Sequence, residues 1–361
     1  MNMENNTSRE SNSFDLNKLV RPNILNLSPY HCARDDYESG TLLDANENAL
    51  GSTVDNGDEL NRYPSPRQEK LRTLIAGFRN VDLDNVFVGV GSDEAIDLLI
   101  RIFCRPGQDS IVITPPTYGM YKVAADINDI HVLSVPLTQS FQLEPDKILD
   151  AVTKNTKIVF LCSPNNPTGN NLSKTDIIKL LTQFNGIIVV DEAYIDFSNE
   201  QSLAGEIDQY PNLVILQTLS KSFGLAGIRL GMAIASESII KLMMKIKAPY
   251  NINRLTSESA IEALQNVSKM KQMINTIIKE RGRVSRELKQ IETVRVIHPS
   301  ETNFLLFEID HAYEIYRELA INGIIVRFRG GQMHCDNCIR LTIGTRVEND
   351  RFLSKLRELI S

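Results

Sequence analysis

Between Tyr63 and Ala235, short apolar runs alternate with longer stretches whose apolar residues recur every three to four positions. The runs are VFVGV (86–90), DSIVITP (109–115), IHVLSV (130–135), TKIVFL (156–161), GIIVVDEAY (186–194), LVILQTL (213–219) and GIRLGMAIA (227–235). Several are apolar almost throughout, as strands covered on both faces would be. The intervening stretches, such as SDEAIDLLIRIF (92–103) and SKTDIIKLLTQF (173–184), carry helical spacing and open on Ser, a residue that caps helix N-termini. This alternation predicts a largely parallel α/β sheet, with ligands expected at the carboxyl ends of its strands.

After Glu237 the pattern changes. Helical stretches at 237–247 and 255–290 are followed by VRVIH (294–298), NFLLFEI (303–309), a helix near 311–321, IIVRF (324–328), CIRLTIG (338–344) and a closing helix near 347–360. That order reads as a second, α+β domain. The first thirteen residues are polar, rich in Asn and Ser and without periodicity, so a mobile tail is expected there. The expected organisation is therefore a tail over 1–13, a segment over 14–45 packing with the second domain, a large domain over 46–250, and a small domain over 251–361 that includes a linking helix over 255–290.

With 361 residues, 42% of them hydrophobic and 23% charged, the composition is that of an ordinary globular protein. The net charge of −6 and the lack of a basic cluster argue against a nucleic-acid partner. No apolar run approaches the ~20 residues that span a bilayer, and the start lacks the apolar core of a signal peptide, so no membrane partner is expected and a cytoplasmic location is. Five scattered cysteines, an odd number, fit reduced thiols better than a disulfide framework.

Candidate chemistry sits where strands end. An Asp such as that in VVDEAY (189–194) also suits a helix cap or a metal ligand, and the Ser-Lys of LSKSFGLAGIR (219–229) also suits a solvated loop. Taken with SPNNPTG (163–169) and VGVGSDEAID (88–97), they supply two phosphate-suitable turns, an acid, a lysine and an arginine. A cofactor that needs an amine for its aldehyde, an acid for its ring nitrogen and a cradle for a dianion is pyridoxal 5′-phosphate. GVGSDE is no dinucleotide fingerprint, because Glu94 stands where the third glycine belongs.

These segments carry a resemblance that spans nearly the whole chain. NLSPYHCAR (26–34), DANEN (44–48), NRYPSP (61–66), PPTYGMY (115–121), CSPNNPTG (162–169), DEAYIDF (191–197), TLSKSFGLAGIR (218–229), SETNFLL (300–306) and IRLTIGTR (339–346) together resemble the fold-type I, pyridoxal-phosphate-dependent aminotransferases. Within that superfamily the chain is most similar to the class II, histidinol-phosphate aminotransferase family. The fold this implies is α/β: a large domain with a mostly parallel sheet flanked by helices, plus a smaller α+β domain.

The resemblance also implies roles. Lys221 would bond to the cofactor aldehyde and shuttle the substrate proton, and Asp191 would hold the ring nitrogen. Asn166 and Tyr194 would bind the phenolate oxygen, with Tyr194 also counted among the catalytic residues, and Tyr118 would stack on the ring. Ser220, Arg229 and the N–H groups of Ser92 and Asp93 would hold the phosphate. Tyr63 would reach the cofactor of a second subunit, implying a homodimer with shared sites, although a surface tyrosine before a proline turn is the rival reading. Arg340 and Arg327 would bind substrate anions, aided by Tyr30 and Asn46, the last of which also suits a turn.

The implied reaction moves the amino group of L-histidinol phosphate to 2-oxoglutarate, giving imidazole-acetol phosphate and L-glutamate in histidine biosynthesis. An aromatic amino-acid aminotransferase or a phospho-amino-acid decarboxylase on the same scaffold would share every cofactor residue. A non-catalytic cofactor-binding module is disfavoured by the joint presence of Lys221, Asp191 and Arg229. Two features depart from the family or stand outside it. Ala49 replaces the usual proline after NEN, and HCDNC (334–338) lacks the fourth ligand of a zinc site, which leaves a solvated loop as its expected state.

Overall fold

The computed structural model describes residues 14–37, 40–54 and 59–360, so the tail expected over 1–13 lies outside the described residues. Strands β1 (Val86–Val90), β2 (Ser110–Ile113), β3 (His131–Ser134), β4 (Thr156–Cys162), β5 (Ile187–Asp191), β6 (Leu213–Thr218) and β7 (Leu230–Ala235) form one sheet in the order β1-β7-β6-β5-β4-β2-β3. The pairs β2–β3, β2–β4, β4–β5 and β5–β6 are parallel, as the continuous apolar runs predict. Strand β7 is the exception, since it pairs antiparallel with both β6 and β1. Its backbone returns from the β6 loop directly, with no long helix between them to cross back over the sheet.

Each apolar strand feeds two cores. Along β4, Ile158, Phe160 and Cys162 join a cluster with the helices Gly91–Phe103, Met120–Ile127 and Glu237–Ile246, while Val159 and Leu161 join the cluster that holds Ile177 and Leu180 of the helix Lys174–Gln183. The two-residue side-chain period thus serves both faces, which is why these strands show no polar alternation. Cutting fully buried Phe160 back to alanine would cost about 3–5 kcal/mol at such a site.

Strands β8 (Val294–Ile297), β9 (Phe304–Ile309), β10 (Arg327–Phe328) and β11 (Cys338–Thr342) form a second, antiparallel sheet in the order β10-β11-β9-β8. The helices Val267–Leu288, Ala312–Ile321 and Arg346–Ile360 pack against it around Phe307, Leu319 and Leu356.

Three expectations are corrected. The helix expected over 255–290 is two, Arg254–Gln265 and Val267–Leu288, because Asn266 leaves helical geometry and its side-chain amide donates to the Glu262 carbonyl. The strand IIVRF shrinks to Arg327–Phe328. The N-terminal segment, expected to pack with the second domain, instead lies on the large sheet's helices. Phe14, Leu16, Leu19, Val20 and Ile24 enter the cluster of the helix Gly91–Phe103, the Arg21 amide donates to Ile102 O at 3.0 Å, and Lys245 donates to Leu25 O at 2.7 Å. Its apolar side chains fill the groove beside that helix, a surface the second sheet does not reach. Among the described residues, no helix is long and apolar enough to cross a membrane.

Candidate active site

The carboxyl ends of β1, β4, β5 and β6 open onto one cavity of about 520 Å³, closed on its far side by β10 and β11. Gly91, Ser92 and Asp93 line it from β1, Asn166 from the loop after β4, Asp191 and Tyr194 from β5, and Thr218, Ser220, Lys221 and Arg229 from the loop between β6 and β7. Tyr118, Arg327 and Arg340 complete the expected set within it. Lys221 follows the end of β6 by three residues, so a strand fixed on both sides aims a short loop at the site.

Asp191 is buried, 3% exposed, at the last position of β5. Tyr121 donates its hydroxyl to Oδ2 at 2.8 Å and the Ala193 amide donates to Oδ1 at 3.1 Å. Burial outweighs these bonds and pushes the carboxyl up to about 6. Lys221 is shifted the other way: burial first, then the charges of Arg340 and Arg229, hold its amine below the ordinary lysine range. The amine lies 5.8 Å from the ring centre of Tyr194, whose hydroxyl burial pushes upward.

At the opposite end the chain builds a cradle. Gly91 opens its helix with φ +70°, and a side-chain carbon there would come within 2.7 Å of Arg229 Nη2. A side-chain carbon on Gly231 would lie 2.0 Å from the Ser92 nitrogen, so Gly231 is required for the strand to pass this close to the helix start, while Gly91 is favoured by its positive φ. The Gly91 amide donates to the Arg229 carbonyl at 2.7 Å, which fixes that arginine beside the first-turn N–H groups. Its guanidinium sits 3.3 Å from Asp93 Oδ2, and Tyr118 donates to Asp93 Oδ1 at 3.1 Å. Helix-start N–H groups beside an arginine make an anion site.

Arginines dominate the second-sheet wall. Arg327 and Arg340 are direct cross-strand partners, so like charges face one another, a pairing that destabilises a sheet unless an anion joins it. Arg340 donates to Asn166 Oδ1 and stands 5.2 Å over the Phe304 ring. Arg329, which the sequence reading missed, joins them. Burial, Arg340 and Arg327 bring its guanidinium down to about 10. The alternation in VRFR places 327 and 329 on one side of an extended chain, and that was the available signal. Tyr121, also missed, stands one helical turn beyond Tyr118 in PPTYGMY.

Three expected residues are not brought to the cavity. Tyr63 is 49% exposed and stacks on Tyr250 with ring centres 4.6 Å apart, Asn46 shares a separate groove with it, and Tyr30 is 70% exposed beside His31. In this one chain the segments that carry them run along the outside.

The cavity fits pyridoxal phosphate by its own features. It has an amine held toward its neutral form, a buried carboxylate with no ion pair among the described residues, and a cradle that side chains would fill. Fold and cavity together define a fold-type I, pyridoxal-phosphate-binding enzyme. The family described as aminotransferase class I and II matches residues 22–356. The histidinol-phosphate aminotransferase of Cytophaga hutchinsonii is 48% identical over 96% of this chain and 99% of its own length. The solved histidinol-phosphate aminotransferase of Clostridium acetobutylicum superposes with a TM-score of 0.76 at 26% identity, over 83% of this chain and 91% of that one. The Sinorhizobium meliloti histidinol-phosphate aminotransferase, solved with pyridoxal-5′-phosphate, shares the fold at a TM-score of 0.78 and 22% identity, over 88% and 89% of the two chains. The chain belongs to the class I and II aminotransferases and, within them, to the histidinol-phosphate aminotransferase family.

Proposed function

We propose that this chain uses pyridoxal phosphate to move the amino group of L-histidinol phosphate to 2-oxoglutarate, yielding imidazole-acetol phosphate and L-glutamate. One observation supports a phosphorylated substrate: Arg327, Arg329 and Arg340 line the cavity that Lys221 also lines, and a phosphate dianion would offset their mutual repulsion more fully than a single carboxylate.

When bound, the cofactor supplies an electron sink for the substrate carbon. Lys221 Nζ, whose burial and neighbouring arginines favour the neutral amine, takes the proton from that carbon and returns one later. Asp191, oriented by Tyr121 and Ala193, supplies the counter-charge for a ring nitrogen. Asn166 and Tyr194 would hold the phenolate oxygen, Tyr118 would cover the ring face, and Arg229 with Ser220 and the N–H groups of Ser92 and Asp93 would take the phosphate. The arginine wall serves both half-reactions, since guanidinium forks bind phosphate and carboxylate alike.

The test is a half-reaction. Holoenzyme is mixed with L-histidinol phosphate or L-phenylalanine without a keto acid, and the cofactor's absorption is followed. Fast conversion by histidinol phosphate alone is expected. Equal conversion by phenylalanine would make this a broad aromatic aminotransferase, and failure to bind the cofactor would end the reading. Arg340→Ala is expected to raise KM for histidinol phosphate and for glutamate by about 10- to 100-fold each, the value of a hydrogen bond to a charged group. Loss confined to glutamate would contradict shared use of the fork.

The enzyme works as a homodimer in this reading. Tyr63 and the exposed apolar residues Leu43, Leu50 and Val54 near it, with exposures up to 98%, support a second copy seated on this edge. Tyr63 then reaches the partner's cofactor, and Tyr30 and Asn46 act from the same surface. Mixed dimers of Lys221→Met and Tyr63→Ala chains are expected to turn over faster than the two parents combined, because one of their two sites is intact. Activity equal to the sum of the parents would place Tyr63 elsewhere. The same reading takes 46–250 as the cofactor domain and 251–361 as the smaller domain, and places the protein in the cytoplasm, in keeping with its five free cysteines.

A further inference from the structure

The segment HCDNC, expected to be a solvated loop, is solvated only in part. Met333, His334, Asp336 and Asn337 face outward, while Cys335 and Cys338 are 0% and 1% exposed and enter the large sheet's core beside Leu306. The turn that carries them is tightly laced. The Gln332 amide donates to Arg329 O at 2.9 Å, Cys335 N to Gln332 O at 3.1 Å, Cys338 N to Cys335 O at 3.0 Å, and Arg329 N back to Cys338 O at 2.8 Å. An N–H bonded to the carbonyl three residues earlier closes a β-turn, whose end Cα atoms lie within about 7 Å, close to the roughly 4.4–6.8 Å that a disulfide spans.

The two thiols share one buried cluster. The neighbouring Cys338, and then the charge of Arg329, hold Cys335 toward its thiolate, against burial. Cys104 and Cys162 are pushed the other way by burial, Cys104 to about 12. Arg329 and Gln332, in the same turn, line the substrate cavity.

We propose that Cys335 and Cys338 are a redox-modification site: a hydroperoxide converts them to a reversible intrachain disulfide, and the oxidised turn weakens binding of the anionic substrate by displacing Arg329. The Cys335 sulfur attacks the terminal peroxide oxygen and breaks the O–O bond. The other oxygen leaves as an alcohol, or as water when the oxidant is hydrogen peroxide, and a sulfenic acid remains. The Cys338 sulfur then bonds to that sulfur and expels water, so two thiols and one hydroperoxide give a disulfide, an alcohol and water. A dithiol reverses it by exchange. The effect on the substrate rests on the function proposed above, whereas the disulfide itself does not.

Holoenzyme is treated with hydrogen peroxide, alkylated and cut with trypsin, which releases both cysteines in the fragment 330–340 between Arg329 and Arg340. That fragment is expected to become lighter by two hydrogen atoms, to resist alkylation, and to recover with dithiothreitol. KM for histidinol phosphate is expected to rise about fivefold or more, as for a coupled site, with a smaller change in kcat. Cys335→Ala is expected to keep its KM after peroxide, and Cys338→Ala serves if the first variant does not fold. Oxidation of the Cys32, Cys104 or Cys162 fragments before 330–340 would overturn the site. A disulfide that leaves KM unchanged, or a KM rise that persists in the alanine variant, would overturn the coupling. If reduced enzyme does not turn over histidinol phosphate at all, the function proposed above fails while the fragment map still decides the disulfide.

Discussion

Lys221→Met is expected to lower turnover by about 10⁴-fold or more, because in the proposed function it removes both the cofactor's covalent partner and the base that moves the substrate proton. The same change is expected to leave the apoprotein at least as stable as the parent. Burial and the charges of Arg340 and Arg229 disfavour the lysine's protonated form in the folded state. The unfolded chain therefore binds more protons than the folded one between the depressed pKa and the ordinary lysine value, and wild-type stability rises with pH across that window. Methionine keeps the stem against Tyr194 and drops the charge, so the variant should not share this rise. Thermal melts of cofactor-free proteins at several pH values, alongside half-reaction rates, measure both effects. A variant that folds yet still transaminates would remove Lys221 from the chemistry, and one that melts well below the parent would show that the amine stabilises the fold.

Asp191→Asn is expected to cost about 10³-fold in turnover, as when a preorganised electrostatic partner is lost, while stabilising the apoprotein above pH 6. The carboxyl is raised to about 6 by burial in the folded state, against about 3.9 in an unfolded chain. Between those values the folded state binds more protons, so stability through this group falls as pH rises from 4 to 6, and the full penalty remains at neutral pH. Two pKa units correspond to about 3 kcal/mol, the upper bound on what the variant recovers. Asparagine can still accept from the Ala193 amide, and the Tyr121 hydroxyl can turn to accept from its amide nitrogen. Bound cofactor should reverse the order of stability, because a protonated ring nitrogen offsets the buried charge of aspartate and not the neutral amide. Equal melting of the two apoproteins at pH 7 and at pH 4 would mean that Asp191 carries no such burden.

Both variants illustrate one arrangement: groups that cost stability in the empty fold are held where a ligand relieves them. Lys221 with Asp191, and the mutually repelling Arg327, Arg329 and Arg340, are the clearest cases. Stability given up locally in this way is common where a site must be preorganised.

The sequence by itself determined the large sheet and the floor of the site. The seven apolar runs became β1 to β7 with boundaries moved by a few residues, because a strand buried on both faces leaves an uninterrupted apolar signal. Lys221, Asp191 and Arg229 could be placed in one cavity because the carboxyl ends of neighbouring parallel strands open on the same side, whatever the details of packing, and Asn166, which came from the resemblance, lines it too. Tertiary structure decided what depends on contacts between segments far apart in the chain. It reversed β7, laid the N-terminal segment on the large sheet's helices rather than on the second domain, and broke the long helix at Asn266. It kept Tyr30, Asn46 and Tyr63 out of this chain's own cavity, brought Arg329 in, and set Tyr121 behind Asp191. It also turned two cysteines of a polar pentapeptide inward. Periodicity reports which face of an element is apolar, and the choice of surface that covers that face is made only when the elements compete to bury it.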